Sequence, residues 1–117
     1  MIIAVDLDDT LCSRPNNVEH LGIKKYEFCT PIQKMIDIVN KLYDDGNIIY
    51  IYTSRGMKQF NGDVNKIQSE LFDFTLNSLK FWNVKHHGLI IGKIYYDLII
   101  DDKALNIINI DNLINIV

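Results

Sequence analysis

Near its beginning the chain reads Ile2-Ile3-Ala4-Val5-Asp6-Leu7-Asp8-Asp9-Thr10, a short apolar run that a carboxylate ends. A continuous run of β-branched and other apolar residues is typical of a strand buried on both faces of a parallel sheet. In open parallel sheets, ligand sites lie beyond the carboxyl ends of the strands. We therefore expect Asp6 and Asp8 to lie at such a site.

Three further apolar runs also end in polar residues. Residues 48–52 form the second predicted strand, which Thr53, Ser54 and Arg55 follow. Residues 89–91 form the third, which precedes Gly92 and Lys93, and residues 95–100 form the fourth, which precedes Asp101 and Asp102. The pattern predicts that four strand ends converge on one site.

Between these strands the apolar residues recur at helical spacing. A helix is predicted from Pro31 to Gly46, on the stripe Ile32, Met35, Ile36, Val39, Leu42 and Tyr43. A second is predicted on the stripe Ile67, Leu71, Phe72, Leu76, Leu79 and Trp82. This alternation indicates one α/β domain over residues 1–117 with a mainly parallel sheet. The pattern after Ala104 fits either a short helix or a last strand.

The predicted site is rich in carboxylates. Several carboxylates at one rim repel one another unless a cation lies among them. Oxygen ligands without a clear His or Cys pattern favour Mg²⁺ over Zn²⁺. Thr53 and Lys93 add a hydroxyl group and a cation, which suit a phosphoryl oxygen. Together these groups point to phosphoryl transfer.

The four strand-end motifs resemble, in order, those of the haloacid dehalogenase superfamily of phosphatases. The motifs are Asp6 to Thr10, Thr53, Lys93 after Gly92, and Asp101-Asp102. The resemblance covers residues 2 to about 104 and implies a three-layer, Rossmann-like fold without a large cap domain. Segments 52–57, 61–67 and 100–104 further resemble small phosphatases of capsular polysaccharide biosynthesis, although those relatives usually carry Pro where this chain has Ile94.

This resemblance implies a role for each matching residue. Asp6 would be the nucleophile that forms an aspartyl-phosphate, and Asp8 the general acid and base. Thr53 and Lys93, with the neighbouring Ser54 and Arg55, would bind the substrate phosphate. The implied Mg²⁺ ligands are the Asp6 carboxylate, the Asp8 backbone carbonyl and Asp101. Asp102 would bind the ion through a water or would hold one of its ligands in place.

Several of these residues also have purely structural explanations. Arg55 suits a phosphate or sugar-acid oxygen, but it could equally pair with a neighbouring carboxylate. Asp102 has a structural salt bridge with Lys103 or Arg55 as its alternative. Asp9 is expected to be a solvated or capping residue and is left out of the site. Cys12 is expected to be an inert thiol near the site.

Two rival functions belong to other classes. A phospho-accepting receiver domain has similar length and chemistry, but the strand at 48–52 carries no phospho-acceptor Asp. A catalytically silent binding domain would not need the motif carboxylates and Lys93 that this chain retains. The expected substrate is a small phosphate ester, with a sugar phosphate or surface-glycan intermediate favoured over a polynucleotide end. A neighbouring copy of the chain is a candidate lid for the open site.

Composition limits the partners and the compartment. The 117 residues carry a net charge of -3, which disfavours nucleic acid and anionic membranes as partners. The two cysteines do not suggest a disulfide framework, and no cationic leader precedes the first apolar run. We therefore expect a cytoplasmic enzyme with Mg²⁺ as its cofactor.

Overall fold

A computed structural model describes residues 1–117. The strands are β1 (Ile2–Val5), β2 (Cys12–Ser13), β3 (Thr30–Pro31), β4 (Ile48–Tyr52) and β5 (Gly88–Ile90). The α-helices are α1 (Gln33–Asp44), α2 (Val64–Ile67) and α3 (Asp73–Phe81), and the π-helical segment Gln68–Phe72 joins α2 to α3. Two 3₁₀ segments, Asn16–Phe28 and Ile107–Asn115, complete the chain.

The main sheet has three parallel strands in the order β1-β4-β5. Ile3 lies opposite Ile49, and Tyr50 lies opposite Gly88. Because all three strands run the same way, their carboxyl ends meet at one edge of the sheet. The predicted α/β class with a mainly parallel sheet is therefore confirmed.

The sheet is buried on one face and partly open on the other. In β4, Ile49 and Ile51 have no exposed surface, whereas Ile48 and Tyr52 at the two ends of the strand are each 38% exposed. In β1, Val5 is buried while Ile2 is 72% exposed. The prediction that these strands are buried on both faces is wrong. Helix residues pack against the face that contains Val5, Ile49 and Ile51, and the opposite face stays partly exposed.

Helix α1 supplies much of the buried core. Met35, Ile36, Val39 and Leu42 recur at the predicted spacing, and all four pack into the cluster that contains Ile49 and Ile51. The helix ends before Gly46, whose φ of +98° is a conformation that favours glycine. The second predicted helix is also present from α2 to α3, with Asp63 capping it by accepting the Lys66 backbone N–H at 3.2 Å.

The fourth predicted strand does not form. Residues 91–106 contain no strand or helix, and Leu98 and Ile100 are 77% and 92% exposed. The chain leaves the sheet at Gly92, which has a φ of +90°. Strand propensity is a local property, but a strand exists only where a neighbour completes its hydrogen-bond ladder, and this apolar segment has no such neighbour.

The long connection between β2 and β3 is the Asn16–Phe28 segment, and β2 and β3 pair antiparallel at its base. This segment forms 3₁₀ turns broken at Gly22. No large cap domain is present. None of the helices is both long and apolar enough to cross a lipid bilayer.

Candidate active site

Three strand ends bring the candidate residues to one edge of the sheet. Asp6 directly follows β1, Thr53 directly follows β4, and Lys93 comes three residues after the end of β5. The Thr53 backbone N–H donates to the Ile90 carbonyl at 3.0 Å, and the Lys93 N–H donates to the Thr53 carbonyl at 3.2 Å. These two bonds extend the β4–β5 pairing past the strands and fix Lys93 beside Thr53.

Asp6 and Lys93 form an ion pair at this edge. Lys93 Nζ lies 3.5 Å from Asp6 Oδ1, and the Thr10 hydroxyl donates to Asp6 Oδ2 at 3.5 Å. Burial raises the pKa of Asp6, and the positive charge of Lys93 opposes that rise. Burial lowers the pKa of Lys93, but its hydrogen bond with Tyr96 and the charge of Asp6 raise it above its usual value. The Asp6 side chain is 40% exposed and thus reachable by a ligand.

Asp8 is held by Arg55. Arg55 Nε donates to Asp8 Oδ2 at 2.9 Å and Nη2 donates to Oδ1 at 3.0 Å, a bidentate ion pair. The third nitrogen, Nη1, donates to the Thr75 hydroxyl at 3.2 Å, and Arg55 is 2% exposed. Burial lowers the pKa of Arg55, and its hydrogen bond with Asp8 more than restores it.

The assignment of Arg55 to the substrate phosphate stays a prediction. In this structure its guanidinium is buried at the wall of the cavity described below, and its nitrogens are bonded to Asp8 and Thr75. Arg55 positions the Asp8 carboxylate, which is the alternative that the sequence left open.

Three cationic side chains lie close to the aromatic ring of Tyr26. The guanidinium carbon of Arg55 lies 4.6 Å from the ring centroid, and Arg14 and Lys25 each lie at 5.4 Å. The Tyr26 hydroxyl also accepts the Gly56 backbone N–H at 3.2 Å. Burial raises the pKa of Tyr26.

Glu19 links two of these cations. It accepts from Arg14 Nε at 2.8 Å and from Lys25 Nζ at 3.0 Å, and these hydrogen bonds lower its pKa. Arg14 Nη1 also lies 3.4 Å from Asp8 Oδ1. Arg14 thus connects the Asn16–Phe28 segment to Asp8 through ion pairs with Glu19 and Asp8.

A cavity of about 300 Å³ opens above the carboxylates. Its wall is mainly polar and includes Asp6, Asp8, Ser54, Lys58, Gln59 and Tyr95. The Ser54 hydroxyl makes no hydrogen bond with the protein. Thr53 is 1% exposed, and its hydroxyl oxygen accepts the Arg55 backbone N–H at 3.1 Å. Ser54 therefore faces the cavity, while Thr53 lies behind it.

Two thiols lie next to Asp8. Cys12 Sγ and Cys29 Sγ each donate to Asp8 Oδ1 at 3.6 Å. The neighbouring Cys29 thiol, together with burial, raises the pKa of Cys12, whereas the neighbouring Cys12 thiol lowers the pKa of Cys29. Asp8, Cys12 and Cys29 are the one group of three potential metal-ligating side chains that lie within reach of a single ion.

The expected four-carboxylate cluster does not form. Asp101 and Asp102 lie on the exposed segment that leaves the sheet, and neither lines the cavity. Asp101 Oδ1 accepts the Lys103 backbone N–H at 2.8 Å, and this bond lowers its pKa. The structure therefore does not bring Asp101 and Asp102 to Asp6, because the strand that would have carried them there is absent.

Two of the predicted Mg²⁺ donors lie in the loop directly after β1. These are the partly exposed Asp6 carboxylate and the Asp8 backbone carbonyl, which accepts no hydrogen bond from the protein. Mg²⁺ keeps several waters and is commonly bound through one or two carboxylates, so these two oxygens are the donors that the structure leaves for the predicted ion.

Sequence reasoning missed Tyr26, Cys29 and Thr75. Each contacts Arg55, but Thr75 lies twenty positions away in the chain and Cys29 twenty-six. No spacing rule connects such residues. A polar Thr75 within the apolar stripe of a helix was the one local signal, since a buried hydroxyl needs a partner.

Comparison with known proteins finds a likeness of fold. No protein-family model and no curated protein matches the chain. A crystal structure of a target protein from Vibrio cholerae superposes with a TM-score of 0.76 at 24% sequence identity, over 97% of this chain and 96% of that one. At this identity the likeness shows the fold alone.

Proposed function

We propose that the protein is a Mg²⁺-dependent phosphomonoester hydrolase with a haloacid dehalogenase-like fold that acts in the cytoplasm through an aspartyl-phosphate. The observation that carries the proposal is the pairing of Asp6 with Lys93 at 3.5 Å, at the carboxyl edge of a parallel sheet. A nucleophilic carboxylate next to a fixed cation is what attack on an anionic phosphate requires.

Asp6 would attack phosphorus. Its side chain is partly exposed to the cavity, and Lys93 and Thr10 hold one carboxylate oxygen each. Lys93 would offset the negative charge of the phosphate during approach. The free Ser54 hydroxyl and the exposed Lys58 on the cavity wall are further groups available to phosphate oxygens.

The Asp6 carboxylate and the Asp8 carbonyl would hold Mg²⁺. When bound, the ion neutralises phosphate charge and orients the ester. Asp101 and Asp102 stay predicted ligands, whose participation requires residues 95–102 to approach β1. Excess chelator tests whether an ion is needed, and Asp6→Asn tests the carboxylate that follows β1.

Asp8 would serve as the general acid and base, and Arg55 as its positioning residue. Arg55 donates one hydrogen bond to each Asp8 carboxylate oxygen, and Oδ2 keeps a further lone pair for a leaving group or a water. The fixed guanidinium would restore the Asp8 orientation after each cycle.

The cavity favours a small polar substrate. Its volume of about 300 Å³ and its mainly polar wall suit a sugar phosphate. The net charge of -3 disfavours a polynucleotide end. The surface-glycan assignment rests on the resemblance of segments 52–57, 61–67 and 100–104. An oligomer that covers the open site belongs to the same proposal.

The test is phosphate release from sugar phosphates, nucleotides and an aryl phosphate, with Mg²⁺ or with excess chelator. Wild-type protein is expected to release phosphate only with Mg²⁺. Asp6→Asn should lose at least about 1,000-fold, because the nucleophile is removed. Asp9→Asn is the matched control: it makes the same change in the same loop, and its φ of +64° is one that Asn adopts readily.

Retained activity in Asp6→Asn, or activity that survives the chelator, would contradict the proposal. The absence of release from every substrate, combined with stable labelling by a small phosphodonor, would instead favour a receiver-type domain. Neither release nor labelling would favour a silent binding domain.

A further inference from the structure

The two cysteines of this chain lie side by side in the fold. Cys12 lies in β2, and Cys29 directly precedes β3, its antiparallel partner. The sulfur atoms and an Asp8 carboxylate oxygen all lie within 4.8 Å of one another. Both cysteines are free thiols.

The two thiols differ in access. Cys12 has no exposed surface, whereas Cys29 is half-buried and lines a second cavity, of about 420 Å³. Phe74, Asn77 and Trp82 also line this cavity, which is distinct from the one above Asp6. A small oxidant therefore reaches Cys29 first, with Cys12 directly behind it.

A metal ion is a poor occupant of this cluster. Arg55 Nη2 lies 3.3 Å from Cys29 Sγ, 3.7 Å from Cys12 Sγ and 3.0 Å from Asp8 Oδ1. The guanidinium thus already supplies a positive charge to all three side chains. A metal would have to displace a buried arginine, whereas joining the two sulfurs would leave that charge in place.

We propose that Cys12 and Cys29 form a peroxide-driven disulfide that acts as a redox switch on Asp8. In the first step Cys29 sulfur attacks a peroxide oxygen, the O–O bond breaks, and Cys29 becomes a sulfenic acid as water leaves. In the second step Cys12 sulfur attacks Cys29 sulfur, the S–O bond breaks, and the departing hydroxyl takes the thiol proton as water. Two thiols are oxidised by two electrons, and hydrogen peroxide is reduced to two waters.

The disulfide would change the surroundings of Asp8. Both thiols donate to Asp8 Oδ1 at 3.6 Å, and a disulfide has no S–H to donate. The sulfurs must also close to about 2.05 Å, which draws them away from their present contacts with Arg55. We expect hydrolysis to fall about tenfold, because Asp8 loses two hydrogen-bond donors that hold its carboxylate in place; this expectation rests on the proposed function.

The experiment treats reduced full-length protein with hydrogen peroxide and measures intact mass, free thiols and peptide maps. The expected result is the loss of two hydrogen masses and of both thiols, with one peptide joining Cys12 to Cys29 and no covalent dimer. Because the chain has two cysteines, the wild type alone identifies the pair. With a sulfenic-acid trap, Cys12→Ser should be labelled at Cys29, and Cys29→Ser should stay unlabelled.

Several results would overturn the switch. Over-oxidation of Cys29 without a disulfide, a disulfide between chains, or stoichiometric protection of both thiols by Zn²⁺ would each rule out the proposed pair chemistry. An intact disulfide with unchanged hydrolysis, against a control restored by dithiothreitol, would rule out control of Asp8. If the reduced protein hydrolyses no ester, the proposed function fails, and the mass measurement still decides the disulfide.

Discussion

Arg55 is the residue with the most buried polar contacts at the site. It binds Asp8 through two nitrogens and Thr75 through the third, and it lies against the Tyr26 ring. Its removal would leave Thr75 without a partner and Asp8 with only its longer contacts to Arg14 and the two thiols. We expect Arg55→Ala to lower the free energy of unfolding by about 3 kcal/mol, the low end for a broken buried pair, because Asp8 stays partly exposed.

Urea denaturation at neutral pH measures this effect. Lys41→Ala is the control, because Lys41 pairs with Asp45 on the surface at 3.1 Å and should contribute no more than about 0.5 kcal/mol. Arg55→Lys keeps the charge but loses the bidentate fork, so its loss should fall between the other two. Equal losses in Arg55→Ala and Lys41→Ala would show that the pair with Asp8 adds nothing to stability.

At the scale of elements, the ion pairs of Glu19 stabilise the Asn16–Phe28 segment. The pKa of Glu19 lies below its ordinary value of 4.5, because hydrogen bonds from Arg14 and Lys25 favour the carboxylate. A depressed folded-state pKa means that the stabilisation is fully present above 4.5 and is lost as the pH falls through the lower, folded-state value. Since Glu19 is about half exposed, its contribution stays below about 1 kcal/mol.

The check compares wild type with Glu19→Gln by urea denaturation at neutral pH and at a pH well below 4.5. The wild type should be the more stable of the two at neutral pH, and the difference should disappear in acid. A difference that is the same at both pH values would mean that Glu19 acts through packing and not through its charge.

At the scale of the whole molecule, protection of backbone amides should be uneven. Strand β4 is paired on both sides, by β1 and by β5, and contains the buried Ile49 and Ile51. Residues 94–106 have exposed apolar side chains and no regular backbone pairing. Native-state hydrogen exchange should therefore be slowest in β4 and fast throughout residues 94–106.

Mass spectrometry of exchanged peptides measures both regions in one sample. Exchange in residues 95–100 as slow as in β4 would contradict the expectation and would indicate that this segment pairs with the free edge of β1 in solution. The helical stretch from α2 to α3 is an internal reference, since Leu71, Thr75 and Leu79 are buried along it.

The sequence predicted the elements because their signals are local. The apolar spacing of α1 and the run of β4 identified both elements, and polar residues directly after two strands indicated where Asp6 and Thr53 lie. The parallel arrangement followed from the alternation of strand and helix. Local chain chemistry therefore determined the class of fold and the edge at which the site lies.

Only the tertiary structure decided which side chains meet there. Arg55 and Asp8 are 47 positions apart in the sequence, and Cys29 and Asp8 are 21 positions apart. It also decided that residues 95–100 leave the sheet and that one sheet face stays open. The physical reason is that ion pairs, thiol contacts and strand ladders need a partner from elsewhere in the chain, and packing of the whole molecule selects that partner.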